Sequence, residues 1–206
     1  LAGCLANIQH LDPSFVSTSN QARLYNKLNA LSEIELEPII GFSSLASAWR
    51  AFKNGNYSQA HALFVDSEPK KGTPAIIGLA WTTLKMDSLN ESNRFFTLAS
   101  SDTSVTDYAI WCYSGWAIIS WARQNFVAAS SRAAFVLRQS PQFELPFYAK
   151  VTERTMLLVQ AYGYYHIGNL PACLATIQIL DPTFLSTQDP AMLLNKLDAL
   201  SIGELQ

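Results

Sequence analysis

The spacing of apolar side chains along the chain predicts a fold made of helices. Proline and glycine are sparse, with nine of each in 206 residues, and they separate segments in which apolar positions recur three and four residues apart. Strand-like alternation is missing, apart from Ile34-Glu35-Leu36, which a helix start would accommodate equally well. The sequence therefore predicts an all-α protein.

The helical segments repeat along the chain. The stretch AWRAFKNGNYSQAHALFVDS, from Ala48, aligns with AWTTLKMDSLNESNRFFTLAS, from Ala80, at an offset of 32 residues. The segments GWAIISWARQNFVAASSRAAFVLRQSP and LVQAYGYYHIGNLPACLATIQILDP continue the same frame, with small residues in equivalent columns. Because two helices approach closely only where small side chains replace bulky ones, these columns predict four helical hairpins.

Two of these units carry a specific family resemblance. The features are Gly55-Asn56-Tyr57 followed by Ala60 and Phe64, and Gly168-Asn169-Leu170 followed by Cys173, Ile177 and Leu180-Asp181-Pro182. They resemble the tetratricopeptide repeat, a helix-turn-helix unit of about 34 residues. The two middle units depart from the pattern, with Asp87 and Gln124 at the turn glycine, and the spacing between units grows from about 32 to about 44 residues.

The resemblance implies a right-handed α-solenoid of antiparallel helical hairpins, whose first helices line a concave side that holds another protein. By position, one ridge of that side is Trp49, Trp81, Ile118 and Tyr162, and the adjacent ridge is Phe52, Leu84, Trp121 and Tyr165. Lys53, Lys85 and His166 lie alongside. The predicted partner-binding residues are Trp49, Phe52, Lys53, Trp81, Leu84, Lys85, Trp121, Tyr162 and Tyr165.

Two interpretations of these aromatic residues remain open. In one, the rings are buried within the fold, beneath a helix at residues 20–31 or at residues 189–200. In the other, they form a channel for an amphipathic helix or an extended apolar peptide, a mode in which rigid aromatic side chains supply most of the affinity. Lys53 and Lys85 would then favour an acidic flank on the partner.

The two ends of the chain are related. Residues 1–37 repeat residues 170–206 at an offset of 169, with about 22 of 37 positions identical. We therefore divide the chain into residues 1–41, a partial repeat with a connecting helix, residues 42–182, the hairpins, and residues 183–206, the start of a further unit. This arrangement is typical of one period of a longer array.

The opening Leu1-Ala2-Gly3-Cys4 resembles the lipobox of bacterial lipoproteins. Cys4 aligns with Cys173, however, in a column of small packing residues. We therefore interpret Cys4 as a structural residue, with lipid attachment as the alternative.

The candidate chemistry is sparse. The net charge of −2 is spread along the chain, so there is no basic stripe for nucleic acid. The three cysteines show no CxxC spacing, which argues against a disulfide framework or a thiolate metal site. His10, His61 and His166 are far apart, and no nucleophile or phosphate-loop motif occurs. The sequence predicts no enzyme, no metal and no cofactor.

These observations predict a non-enzymatic interaction scaffold or chaperone-like adaptor that binds a peptide or an amphipathic helix in an apolar concave groove. No apolar run is long enough to span a bilayer. Charged residues make up only 15%, against about 25% in typical domains, which leaves apolar surface for a partner or for another copy. The alternatives are a self-assembling structural repeat protein and a lipid-anchored envelope-assembly protein. We expect a cytoplasmic location, with a periplasmic or lipid-anchored one left open.

Overall fold

A computed structural model describes residues 43–102 and 106–201, and these residues form nine α-helices. The helices are α1 (Ser43–Lys53), α2 (Tyr57–Lys71), α3 (Thr73–Lys85), α4 (Leu89–Ser100), α5 (Thr106–Ala122), α6 (Phe126–Gln139), α7 (Glu153–His166), α8 (Leu170–Leu180) and α9 (Pro190–Ser201). Over these two ranges the only extended pairing is an isolated bridge between Glu144 and Thr152. The all-α prediction is confirmed.

The helices pack in a repeating order. Each helix contacts the next one in the chain, and α1, α3, α5, α7 and α9 also contact one another in succession. The pairs α1–α2, α3–α4, α5–α6 and α7–α8 coincide with the four segments that repeat in the sequence. The first helices of the pairs therefore lie side by side in a row.

The turn within each pair has the same backbone geometry, even where glycine is absent. The middle turn residue has a positive φ in all four pairs: +77° at Gly55, +59° at Asp87, +58° at Gln124 and +78° at Gly168. The next amide donates to the carbonyl five residues back, as from Asn125 to Ser120 at 2.8 Å. This bond is typical of a helix that ends in a left-handed residue. The departures from the repeat pattern at Asp87 and Gln124 therefore leave the turn intact.

Small and apolar side chains fill the interior of each pair at equivalent positions. Each first helix contributes a fully buried alanine at the equivalent position: Ala48, Ala80, Ala117 and Ala161. The second helices contribute their fourth and eighth residues, which are also fully buried: Ala60 and Phe64, Ser92 and Phe96, Ala129 and Ala133, and Cys173 and Ile177. The buried Ser92 hydroxyl donates to the Ala80 carbonyl at 2.7 Å, so its polar group is satisfied.

Glycines allow successive pairs to approach closely. A Cβ atom added at Gly78 would lie 2.2 Å from the Phe64 ring, and one at Gly115 would lie 2.1 Å from the Phe96 ring. At Gly163 the added atom would lie 2.6 Å from the Ser130 Cβ. The second helices of the first three pairs thus each place a side chain on a glycine of the next first helix, in the space where any other residue would carry its side chain.

The turns generate a stability prediction. Holding a residue other than glycine in the left-handed region costs about 1–2 kcal/mol. Substitution by glycine removes this cost, but the unfolded chain gains backbone freedom, which cancels about 0.5–1 kcal/mol of the improvement. We expect Gln124→Gly to raise the free energy of unfolding by about 0.5–1 kcal/mol, measured by urea denaturation. Gly168→Gln, at the equivalent position of the fourth pair, is the matched control and should lower it by a similar amount. A loss of stability in Gln124→Gly would contradict the equivalence of the turns.

Candidate partner-binding surface

The first-helix face is the side of α1, α3, α5 and α7 that carries the predicted binding residues. Phe52 and Trp81 are 1% and 0% exposed, and Tyr162 is 7% exposed. The partly buried members are Trp49, Leu84, Lys85, Trp121 and Tyr165, and Lys53 is exposed. Phe52, Trp81 and Tyr162 therefore belong to the interior, where an approaching partner does not reach them.

The connection between α6 and α7 covers one part of this face. We call residues 140–152 the insert, and it accounts for the wider spacing between the third and fourth repeats. Five of its apolar residues are buried: Phe143, Leu145, Phe147, Tyr148 and Val151. They share one core with Phe52 and Trp81.

Two aromatic residues of the insert, Phe147 and Tyr148, make ring contacts with the first helices. Phe147 stacks on Trp49, with ring centroids 3.9 Å apart and planes 24° apart. It also meets Trp111 of α5 edge to face at 5.3 Å. Phe147 thus joins α1 to α5.

Tyr148 extends the contact to α3. Its ring lies edge to face against Phe52 at 5.1 Å, and the Lys85 ammonium lies 5.3 Å from its centroid. Burial raises the pKa of the Tyr148 hydroxyl, and nearby Lys150 partly opposes this shift. With Phe147 and Tyr148 together, the insert contacts three successive first helices.

The backbone of the insert is closed on itself. The Leu145 amide donates to the Val151 carbonyl at 2.9 Å, the Tyr148 amide to the Leu145 carbonyl at 3.0 Å, and the Val151 amide to the Tyr148 carbonyl at 3.0 Å. The bridge between Glu144 and Thr152 pairs its two ends. The insert is therefore a compact loop that contacts α1, α3 and α5 through its side chains. Its backbone is bonded to the start of α7, where the Glu153 amide donates to the Phe143 carbonyl at 2.5 Å and the Thr155 hydroxyl to the Lys150 carbonyl at 3.2 Å.

Helix α9 covers another part of the first-helix face. The Tyr162 hydroxyl donates to Asp198 Oδ1 at 2.7 Å, and Leu193 and Leu197 of α9 are buried in the same small core as Tyr162. Burial raises the pKa of Tyr162 to about 12, although the hydrogen bond with Ser201 lowers it. Tyr162 thus lies beneath residues 189–200, the position that the first of the two interpretations gave for the aromatic residues of the first helices. A helix at residues 20–31 lies outside the described residues.

An ion pair fixes the loop that leads into α9. Lys196 pairs with Asp181, and the Asp181 carboxylate also accepts from the Thr183 amide at 2.9 Å and from its hydroxyl at 2.6 Å. The Lys196 ammonium, followed by the two Thr183 donors, lowers the pKa of Asp181 to about 2. The ion pair therefore links α9 to the residue that follows α8, which helps to hold α9 over Tyr162.

A partly accessible area lies between the two covers. Trp121 packs against both cores, and its ring is 6.1 Å from that of Tyr162. Tyr165 packs against the smaller core and meets the exposed His166 edge to face at 5.3 Å. We call Trp121, Tyr165 and His166 the open strip. It retains the aromatic character that the sequence predicted for the whole face.

The sequence prediction missed the insert. Phe147 and Tyr148 were not among the candidate residues, because they lie outside the helical repeats from which the binding face was predicted. The available signal was the density of apolar residues in PQFELPFYAKV, which is unusual for a surface connection. That density indicates a loop that packs onto the protein.

The two cysteines in the described part of the chain have buried thiols. Burial raises the pKa of the Cys112 and Cys173 thiols to about 12 and about 11, which disfavours their reactive thiolate forms. In the part of the chain that the structure describes, no group of histidine, cysteine and acidic residues is arranged to hold a metal, and no helix is long and apolar enough to cross a membrane. Cys4 and His10 lie outside that part.

No protein-family model, curated protein or solved structure matches the chain.

The burial pattern predicts different roles for two tryptophans. Trp81→Ala should lower the free energy of unfolding by about 3–5 kcal/mol, because it leaves a cavity around a fully buried ring. Trp121→Ala should cost less, because part of its ring already contacts water. Urea denaturation of both variants tests this order, and an equal loss would show that Trp121 is a core residue too.

Proposed function

We propose that this protein is a non-enzymatic scaffold, a tetratricopeptide-like α-solenoid, that binds another protein through its first-helix face. The observation that supports this most is that the face already holds an apolar segment of its own chain. Phe147 and Tyr148 dock on α1, α3 and α5 through ring contacts. A surface with this capacity has the shape and chemistry to receive a similar segment from a partner.

The repeated geometry supports the solenoid part of the proposal. Four equivalent turns, equivalent buried columns and the row of contacting first helices are what stacked repeats produce. In such an array the first helices form a continuous surface, and binding residues from several repeats can act on one ligand.

The proposed partner contacts the open strip first. Trp121 and Tyr165 are large, rigid and half-buried, which are the properties of residues that dominate interface energies. The partner segment is an amphipathic helix or an extended apolar peptide. Exposed Lys53 and half-buried Lys85 favour an acidic residue at its flank.

Capture from native extract tests the proposal. The double variant Trp121→Ala/Tyr165→Ala should lose the partner, because truncating a central interface aromatic costs about 2 kcal/mol, or roughly a 30-fold loss of affinity. Val127→Ala is the matched control, since Val127 is 63% exposed on a second helix. Circular dichroism and urea denaturation establish that both variants fold. Equal capture by the double variant and the native protein would contradict the proposal.

Self-assembly is a second candidate, favoured by the duplicated ends. Residues 170–201 include α8 and α9, which pack on α7, and residues 1–37 repeat most of that sequence. Two versions of one packing segment in a chain allow the segment of one molecule to replace its counterpart in another. Sedimentation velocity over a hundredfold range of concentration tests this: a mass that rises with concentration supports assembly, and a constant monomer mass argues against it.

A further inference from the structure

We propose that the protein assembles head to tail, through a cluster of arginine and aromatic side chains on α5 and α6 that binds the acidic residues Glu33, Glu35 and Glu37 of a second copy. The inference specifies a contact for self-assembly, the second candidate function, and rests on it. It is independent of partner capture through the first-helix face.

The cluster is built on half-buried rings that contact one another. Tyr113 meets Trp116 edge to face at 5.2 Å, and the Phe135 ring of α6 lies 4.2 Å from that of Tyr113. Trp116 and Trp121 are five positions apart on α5, which turns their side chains about 140° away from each other. The cluster therefore lies away from the open strip, on the side of α5 that contacts α6.

Two arginines of α6 add positive charge to these rings. The Arg132 guanidinium lies 5.5 Å from the centroid of the Trp116 ring, and that of Arg138 lies 5.8 Å from the centroid of the Phe135 ring. We call Tyr113, Trp116, Arg132, Phe135 and Arg138 the arginine face. A guanidinium held against a ring keeps N–H groups at its edge that can donate to a carboxylate.

The arginine face has no acidic counterpart of its own. Arg132 donates to the Ser120 hydroxyl and, at 3.4 Å, to the Trp116 carbonyl. Neither Arg132 nor Arg138 pairs with a carboxylate within residues 43–102 and 106–201. The sequence has no aspartate or glutamate from residue 108 to residue 143. A positive surface with exposed ring area favours an acidic partner that also carries apolar side chains.

The chain itself contains a segment with this composition. Residues 33–37, which lie outside the described residues, read EIELE, so that three glutamates alternate with Ile34 and Leu36. In an extended chain, such alternation puts the carboxylates on one side and the apolar side chains on the other. The corresponding residues 202–206 of the duplicated sequence read IGELQ and keep only Glu204. The acidic charge is therefore a difference between two otherwise similar segments.

The distance from α1 favours binding between molecules over binding within one. Glu37 lies six positions before Ser43, where α1 begins, and a chain of that length spans at most about 22 Å. α5 is the second helix beyond α1 in the row of first helices, which corresponds to about 16–20 Å at 8–10 Å per helix. Because the arginine face lies farther still, on the α6 side of α5, Glu37 could reach that of its own molecule only through a fully extended connection. A second copy has no such limit.

Charge reversal on both sides of the contact tests the proposal, with sedimentation velocity of the full chain over a hundredfold range of concentration. Arg138→Glu and, separately, Glu35→Lys/Glu37→Lys should each weaken self-association at least about tenfold, because each brings like charges together. An equimolar mixture of the two variants should restore association, since each molecule then finds a complementary surface on the other. Arg94→Glu is the matched control and should behave as native, because Arg94 is an exposed arginine of α4 that lies 4.8 Å from the Phe95 ring.

A peptide assay leaves the arginine face unchanged, so its outcome does not depend on how the face variants fold. The receptor is the full chain with Glu33→Gln/Glu35→Gln/Glu37→Gln, and the probe is fluorescein-labelled SEIELE, residues 32–37, followed by fluorescence anisotropy. The natural counterpart SIGELQ, residues 201–206, is the matched control peptide and should bind about tenfold more weakly, because it lacks two of the three carboxylates. Binding of SEIELE should also weaken as the salt concentration rises.

Three results would overturn the proposal. The first is a monomer mass at every concentration, which would also exclude self-assembly and, if SEIELE still binds, would place the segment on its own molecule. The second is association that ignores the charge variants, which would leave exchange of the duplicated ends as the mode of assembly. The third is equal binding of SEIELE and SIGELQ, and binding of a single-stranded oligonucleotide instead would assign the arginine face to nucleic acid. None of these results bears on partner capture through Trp121 and Tyr165, which tests the scaffold function separately.

Discussion

The contact between a second helix and a glycine of the next first helix sets the spacing of the helix pairs. Phe64 on Gly78, Phe96 on Gly115 and Ser130 on Gly163 form the three junctions between the four successive pairs, each in space that a Cβ atom would otherwise fill. With any larger residue at these glycines, the pairs would separate or tilt. The row of first helices, and the aromatic surface that it presents, depends on this approach.

Much of the aromatic first-helix face is shielded from water by other segments of the same chain. The insert covers residues of α1, α3 and α5, and α9 covers Tyr162 on α7. This explains how a chain with 12% aromatic and only 15% charged residues keeps much of its apolar area from water. The open strip around Trp121 is where the two covers leave part of the surface accessible.

The parts of the structure that follow from local spacing could be predicted from the sequence. The helices, the pairing and the small-residue columns at Ala48, Ala80, Ala117 and Ala161 follow from residues a few positions apart. The turns at Gly55 and Gly168 could be recognised because glycine adopts a positive φ readily. The equivalent turns at Asp87 and Gln124 carry no such signal, because there the packing of the pair imposes the conformation.

The state of the candidate site depends on distant residues, which is why its burial was left open. Phe52 and Trp49 are covered by residues from a connection that follows three complete pairs, and nothing in their own sequence neighbourhood specifies that connection. Irregular loops have no periodicity from which a docking position can be calculated. Only the apolar content of the insert indicated that it would pack at all.

The stack of Phe147 on Trp49 also bears on how the protein folds and unfolds. Stacked repeats contact only their neighbours, so they tend to unravel from the ends in steps. Here one ring pair links positions about a hundred residues apart, and closing so long a loop is entropically costly until the intervening pairs exist. Docking of the loop should therefore come late in folding. Through Trp111 the same ring then couples the first pair to the third, which favours melting of these pairs as one cooperative unit.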